Sequence, residues 1–148
     1  MIDLNRLLIV LAAAVCIAFD VAAAEAGAEA VVQAQLEAYN ARDIDAFLVT
    51  YAEDAQLFEL PDKLLARGSS QLRERYTKRF ANTRLHAEIV KRIVLGDTVV
   101  DHERVRMTLP EGPGTLETIA IYEVRDGKIT TVWFRYGGTK PDKKLGAS

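Results

Sequence analysis

The segment YNARDIDAFLVTYAEDAQLFEL, residues 39–60, decides the fold because its pattern predicts a helix end, a short capped helix and a strand in immediate succession. Asp43 occupies an N-cap position, where a short carboxylate can accept hydrogen bonds from the first turn of a helix. The apolar side chains that recur at helical spacing after it are Ile44, Phe47, Leu48 and Tyr51. The apolar run 57–60 then predicts a strand that contains Glu59. A carboxylate in such a place is either solvated at an edge or positioned for chemistry.

The composition is that of one globular domain. The chain has 148 residues, 49% of them hydrophobic, and no break in composition indicates a second domain. Its formal net charge of −2 provides no long-range field that would attract nucleic acid. We therefore expect a single domain, residues 29–137, with no nucleic-acid partner.

Two further helices are predicted on either side of this segment. Apolar positions at helical spacing predict a first helix over residues 29–41, followed almost at once by the capped helix over 44–51. Pro61 begins a turn, and Gly68 opens a third helix. The side chains that would stack along one face of the third helix are Leu72, Tyr76 and Phe80. Its charged side chains are expected in solvent, and the basic ones are Arg73, Arg75, Lys78 and Arg79.

Beyond residue 82 the hydrophobic period changes from helical to alternating. The predicted strands are 85–95, 98–109, 115–124 and 129–136. Gly96-Asp97 and Asp126-Gly127 are typical of tight hairpin turns, so these strands should form an antiparallel meander. Helices followed by a meander indicate the α+β class.

The two ends of the chain are predicted to lie outside the domain. Residues 1–24 have the pattern of a cleaved signal peptide, with an apolar run over 7–19 and the small residues 22–24 before the cleavage point. A retained membrane anchor is the alternative, and lipidation at Cys16 is disfavoured because a large residue precedes it. We expect a periplasmic or secreted protein without stable membrane insertion after cleavage. The polar residues 138–148 are expected to form a flexible tail.

The order of predicted elements resembles a known group of proteins. Three helices, a short strand before the third and a closing meander resemble the NTF2-like superfamily, particularly its SnoaL-like and ketosteroid-isomerase-like members, over residues 30–137. The local marks are YNARDIDAFLVTYAEDAQLF, ARGSSQLRERY and YEVRDGKITTVWF. The resemblance implies an α+β cone, in which three N-terminal helices pack in a curved antiparallel sheet around an apolar pocket. Because one fold hosts many functions, the activity has to be argued from the site.

The resemblance also implies a catalytic base. The isomerases place a carboxylate at the end of the first strand, and Glu59 matches that position. An apolar wall raises the proton affinity of a carboxylate, which can then take a proton from a carbon beside a carbonyl. However, Gln35 and Ala120 replace the tyrosine and the acid that form the isomerases' oxyanion hole. Loss of even one such donor commonly lowers the rate by on the order of a hundredfold or more. An efficient ketosteroid isomerase is therefore not expected.

The resemblance and the alternation of the strands give a set of expected ligand contacts. Tyr51 and Tyr76 match tyrosines that support the missing donor in some isomerases, and the amide of Gln35 could still donate a hydrogen bond. The full set is Gln35, Tyr39, Tyr51, Tyr76, Ala120, Tyr122, Phe134 and Tyr136. Trp133 is left on the outer face of the sheet, where it suggests a partner surface, and the superfamily often dimerises through its sheet. A homodimer is therefore expected.

The strand 98–109 carries two more candidate carboxylates. Alternation places Asp101 and Glu103 on its more apolar face, where they would join Glu59 as acid–base candidates inside the cone. A one-residue slip in register would turn His102 inward instead. The alternative is an ordinary edge or interface strand with paired charges. The histidines have no recognised metal spacing, and no metal site is expected.

Two functional classes follow from these observations. In the first, the protein is a cofactor-independent enzyme that moves a proton on a small, hydrophobic carbonyl compound, because such a substrate carries its own electron sink. In the second, the same pocket binds a ligand, or supports assembly, without turnover.

Overall fold

A computed structural model describes residues 27–142, so the predicted signal peptide and residues 143–148 lie outside the described part. The helices are α1 (Ala28–Ala41), α2 (Ile44–Leu48) and α3 (Gly68–Phe80). The strands are β1 (Tyr51–Glu59), β2 (Lys63–Arg67), β3 (His86–Leu95), β4 (Thr98–Leu109), β5 (Gly112–Arg125) and β6 (Lys128–Pro141). The predicted helices and meander are confirmed. The sequence analysis did not predict β2.

The connection between α1 and β1 forms as the local sequence dictates. Arg42 ends α1 in the left-handed conformation with φ 55°. The Asp43 carboxylate then accepts hydrogen bonds from the backbone N–H groups of Asp45 and Ala46, at 3.1 and 3.0 Å, which caps α2. The second helix ends at Leu48, earlier than predicted, because the chain turns there to begin β1.

One mixed, open sheet of six strands has the order β2-β1-β6-β5-β4-β3. All neighbouring strands are antiparallel except β1 and β6, which are parallel. The first and last strands of this part of the sheet, β1 and β6, are therefore neighbours although they are far apart in the chain. Strands β2 and β3 form the two edges of the sheet. Residues 139–141, from the segment expected to be a tail, continue β6 and pair with β5.

The core lies between the helices and the sheet. Phe47 is completely buried at its centre, with its ring centroid 4.2 Å from that of Tyr76 and 5.0 Å from that of Tyr51. Tyr39 and Phe80 complete this aromatic cluster. Truncation of such a side chain to alanine costs roughly 3–5 kcal/mol. The cluster therefore fixes how α1 and α3 sit against the sheet, and thereby the space between them.

Within residues 27–142, no helix combines the length and the apolar content that crossing a bilayer requires.

Candidate functional site

The register of β4 decides which of its charged side chains face the helices. Val99, Asp101, Glu103 and Val105 are buried, whereas the residues between them are more exposed. His102 lies on the outer face, where its Nε2 is 3.3 Å from the carboxylate of Glu117. The structure therefore has the register that turns the two carboxylates inward, and the alternative with an inward histidine is excluded.

A cavity lies between α1, α3 and the inner face of the sheet. The residues that line it are Gln35, Leu36, Tyr39, Arg75, Tyr76, Arg79, Ala87, Glu103, Val105, Thr118, Tyr122, Phe134 and Tyr136. Its empty volume is about 470 Å³, which includes open space at the mouth. The centres of water-sized spheres fit in only about 30 Å³ of it. That space holds about two water molecules, so a ligand must be small and slender or must displace side chains at the mouth.

Glu103 is the carboxylate in the wall of this cavity. Only 8% of the residue is exposed, and burial raises its pKa to about 7 because the charged form loses its hydration. The Tyr122 hydroxyl donates a hydrogen bond of 2.9 Å to Glu103 Oε1, which opposes the rise, while the negative charge of Asp101 adds to it. A carboxyl group with a pKa near neutral can both accept and return a proton.

Thr118 lies directly across from Glu103 in the pairing of β4 with β5, so the two side chains share one face of the sheet. Tyr136 is the next residue in the same row, on β6. The hydroxyl oxygen of Thr118 is buried and has no hydrogen-bond partner among the described residues. Because buried polar atoms are rarely left unpaired, this hydroxyl is available to a ligand or a water molecule in the cavity.

Asp101, the second carboxylate on this face, is held in an ion pair. Its two oxygens each accept a hydrogen bond of 2.7 Å from the guanidinium of Arg92, which also donates to Gln33 Oε1 at 3.0 Å. The side chain of Asp101 is 1% exposed and is not part of the cavity wall. Asp101 was expected inside the cone with Glu103 and Glu59, but it is paired with Arg92 and does not face the cavity.

Glu59 is not in an apolar wall, contrary to the expectation. Its side chain is 34% exposed at the end of β1 and forms an ion pair with Lys63, with Oε2 and Nζ 3.0 Å apart. Lys63 belongs to β2, the strand that the sequence analysis missed, and the two residues are cross-strand partners. Glu59 does not line the cavity. The match in position to the base of the isomerases is therefore not accompanied by the burial that such a base needs.

The other expected ligand contacts divide into two groups. The residues that line the cavity are Gln35, Tyr39, Tyr76, Tyr122, Phe134 and Tyr136. The amide nitrogen of Gln35 donates a 3.1 Å hydrogen bond to the hydroxyl of Tyr51, which is buried behind it. Tyr51 and Ala120 are both buried outside the cavity wall, so their expected contact with a ligand is corrected.

The sequence analysis missed three polar residues of the cavity wall. Arg75 and Arg79 were expected in solvent with the other basic side chains of α3, yet both line the cavity. Helical spacing contains the signal, because each lies one position before an inward-facing aromatic residue of the helix, Tyr76 or Phe80. Thr118 gave no signal, since a threonine in a strand is ordinary.

No group of three or more histidine, cysteine, aspartate or glutamate side chains within residues 27–142 is placed to hold a metal ion.

Comparison with known proteins places these observations in a family and a fold. The model of the SnoaL-like domain matches residues 32–132. No curated protein matches the chain. Among solved structures, an uncharacterized cystatin-fold protein from Novosphingobium aromaticivorans is 24% identical, with a TM-score of 0.67 over 73% of this chain and 97% of its own.

Two other solved structures share the architecture at lower identity. The epoxide hydrolase/cyclase-like enzyme SalBIII, of pyran ring formation in salinomycin, is 17% identical, with a TM-score of 0.67 over 74% of this chain and 90% of its own. A hypothetical protein from Catenulispora acidiphila with a ketosteroid-isomerase-like fold, in complex with trimethylamine, is 18% identical. Its TM-score is 0.61 over 70% of this chain and 82% of its own. The predicted fold is confirmed, and at these identities the structures bear on the fold alone.

Proposed function

Because this chain belongs to the SnoaL-like domain family, we propose that its cavity binds a small carbonyl compound and that Glu103 transfers a proton on it. The observation that carries the proposal is the placement of Glu103, a buried carboxyl group with a pKa of about 7 in the wall of a cavity. Carboxylates with such values are common where acid–base chemistry takes place. Glu103 thus takes the role of base that was expected of Glu59, because Glu103 is buried and Glu59 is not.

The reaction requires no oxidant or reductant. The ionised form of Glu103 removes a proton from the carbon beside the carbonyl, and the electron pair of that C–H bond moves into an enolate. The protonated Glu103 then returns the proton to the same carbon or to a conjugated one. The hydroxyl of Thr118 lies on the same face as Glu103 and is free to donate a hydrogen bond to the enolate oxygen.

A second candidate function is binding without turnover. The Tyr122 hydroxyl already donates to Glu103, and one N–H of the Gln35 amide donates to Tyr51. The neutral donors that remain for an oxyanion are the second N–H of Gln35 and the hydroxyl of Thr118. A neutral amide and an aliphatic hydroxyl are weaker acids than the tyrosine and the protonated aspartate of the isomerases, so they stabilise an enolate less. This observation favours slow proton transfer or simple ligand retention.

Hydrogen–deuterium exchange on a neutral ketone separates the two candidates. Cyclohexanone is incubated with the protein in D₂O, and loss of the α-proton signals is followed by NMR against a protein-free control. We expect exchange that Glu103→Gln removes and that the matched variant Glu59→Gln retains. Exchange that Glu59→Gln removes and Glu103→Gln retains would return the role of base to Glu59. No exchange above the control would favour the binding candidate.

Export of the protein is part of the same proposal. The support is the sequence of residues 1–24, which lie outside the described part of the chain. N-terminal sequencing of protein from a periplasmic or culture fraction is expected to begin at Glu25. Recovery of the chain only with an intact Met1 would contradict cleavage.

A homodimer formed through the outer face of the sheet is also proposed. Trp133 is half-buried on that face and stacks on Phe58, with ring centroids 6.1 Å apart. An aromatic pair of this kind suits a protein interface. Light scattering should give the mass of two chains, and Trp133→Glu should give the mass of one. A monomeric parent protein would contradict the proposal.

A further inference from the structure

The basic side chains of α3 fall into two pairs with different partners. Arg73 and Lys78 point to solvent and form ion pairs with Asp45 and Glu74. The other two, Arg75 and Arg79, line the cavity, and no carboxylate of the described residues forms an ion pair with either of them. This difference is not explained by the solubility of the helix, because the unmatched pair is the one that faces inward.

Within residues 27–142, the side chains of Arg75 and Arg79 form hydrogen bonds only with phenol groups. Arg79 Nε donates a 2.7 Å hydrogen bond to the hydroxyl of Tyr39, and its guanidinium carbon lies 5.7 Å from the centroid of that ring. Arg75 Nη2 donates a long hydrogen bond of 3.4 Å to the hydroxyl of Tyr136. A guanidinium carries five N–H donors, so most donors of both side chains remain for another group.

Arg75 and Arg79 are four positions apart on α3, and both line the same cavity. Residues four positions apart are neighbours on a helical surface, and like charges at this spacing destabilise a helix by about 0.2–0.5 kcal/mol. An anion between Arg75 and Arg79 would remove the repulsion and satisfy their donors.

The remaining polar groups of the wall indicate what else the ligand carries. Glu103 is close enough for Arg79 to lower its proton affinity, yet the effect of burial is larger. The carboxyl group is therefore only partly ionised near neutral pH and leaves the cavity with net positive charge. The unpaired hydroxyl of Thr118 adds a neutral donor or acceptor on the same wall of the cavity as Glu103. An anionic group at the arginines and a neutral polar group near Thr118 together match these features.

We propose that the ligand is a small organic acid whose carboxylate binds between Arg75 and Arg79, while its carbonyl group reaches Thr118 and Glu103. The inference rests on the proposed function and narrows its substrate class from carbonyl compounds to oxo acids. A planar carboxylate can accept parallel hydrogen bonds from a guanidinium, and it suits a narrow cavity better than a tetrahedral phosphate.

The test compares acids with neutral analogues of the same shape. Phenylacetate, benzoate and 4-oxopentanoate are titrated into labelled protein, and binding is followed by the NMR signals of the arginine Nε–H groups. The matched neutral probes are phenylacetamide, benzamide and 4-oxopentanamide. At least one acid should bind about tenfold more tightly than its amide, which corresponds to ~1.4 kcal/mol at 25 °C. Phenyl phosphate provides the competing anion, and it should bind more weakly than phenylacetate.

Variants of α3 locate the carboxylate. Arg75→Gln and Arg79→Gln should each weaken binding of the acid about tenfold and leave the amide unchanged, while Arg79→Lys should retain part of the affinity. Arg73→Gln, on the exposed side of the same helix, is the matched control and should change nothing. Thermal unfolding of each variant identifies any that fail to fold. If Arg79→Gln fails to fold, Arg75→Gln still tests the inference.

Several results would overturn the inference. These are equal affinity for acids and amides, an effect of Arg73→Gln as large as that of Arg75→Gln, tighter binding of phenyl phosphate, or no binding of any acid at millimolar concentration. Its failure is distinguishable from failure of the proposed function. Cyclohexanone exchange that depends on Glu103 without acid binding would refute only the organic acid, whereas acid binding without any exchange would refute only proton transfer.

Discussion

Replacement of Glu103 by glutamine should make the protein more stable at neutral pH and leave it unchanged in acid. Burial raises the pKa of Glu103 from 4.5 to about 7, and each unit of difference between folded and unfolded states corresponds to ~1.36 kcal/mol. Below pH 4.5 the group is protonated in both states. Between pH 4.5 and about 7 the unfolded chain releases the proton and the folded protein keeps it, so stability falls as the pH rises. The total loss is about 3 kcal/mol.

Glutamine cannot ionise, so Glu103→Gln should gain that amount at about pH 7 and above. The assay is urea unfolding of both proteins between about pH 4 and pH 8, followed by the fluorescence of Trp133, the only tryptophan in the chain. Glu117→Gln is the control, because the hydrogen bond to His102 lowers the pKa of Glu117 and its stabilisation is lost as the pH falls. Its difference from the parent protein should therefore have the opposite sign. The desolvation of Glu103 would be refuted if the free energy of unfolding of Glu103→Gln, relative to the parent protein, stayed constant or decreased as the pH rises from about 4.5 to about 7.

Three further substitutions test the surroundings of the site. Tyr122→Phe removes the hydrogen bond that opposes the rise in the pKa of Glu103, so a titration of the carboxyl carbon by NMR should give a pKa about 1–2 units higher; a lower value would contradict the hydrogen bond. Asp101→Asn leaves a nearly buried guanidinium without its carboxylate and should cost about 3 kcal/mol in urea unfolding; a cost below about 0.5 kcal/mol would show the pair to be solvated. Gly114→Ala places a Cβ 2.8 Å from a backbone oxygen of β6 and should cost about 1–3 kcal/mol, whereas Gly138→Ala, with no atom within 4 Å, is the control and should cost less.

Much of the fold could be predicted because its signals are local. The cap at Asp43, the change from helical to alternating period and the turns at Gly96 and Gly127 each act within a few residues. Strand β2 was missed because KLLAR shows no clear alternation, and only its pairing with β1 stabilises it as a strand. The parallel pairing of β1 with β6 depends on contacts that are far apart in sequence, and it was not predicted, because the expected sheet was antiparallel throughout.

The site could be predicted only in part, because burial is a property of the whole fold. The alternation of β4 correctly placed Glu103 inside, but it gave no way to rank this residue above Glu59. What distinguishes the two is the neighbouring chain: Lys63 on the unpredicted strand neutralises Glu59, and Glu103 has only a tyrosine hydroxyl. Similarly, a basic helix beside acidic residues suggested a solvated face, and only packing showed that Arg75 points inward.

The charge of the ligand shifts the balance between the ionised and the protonated form of Glu103. The ionisable groups that influence it, from every element packed against it, are Tyr39, Tyr51, Arg79, Arg92, Asp101 and Tyr122. Of these, Arg79 and Arg92 favour the ionised form of Glu103, and Asp101 opposes it. A neutral ketone leaves this balance unchanged, so a large fraction of Glu103 is ionised near pH 7 and can remove a proton. A carboxylate bound at Arg79 offsets the attraction of that guanidinium and raises the pKa of Glu103 further. By linkage, protonation of Glu103 then tightens the binding of the acid, so the affinity for the acid should fall as the pH rises through the pKa of Glu103.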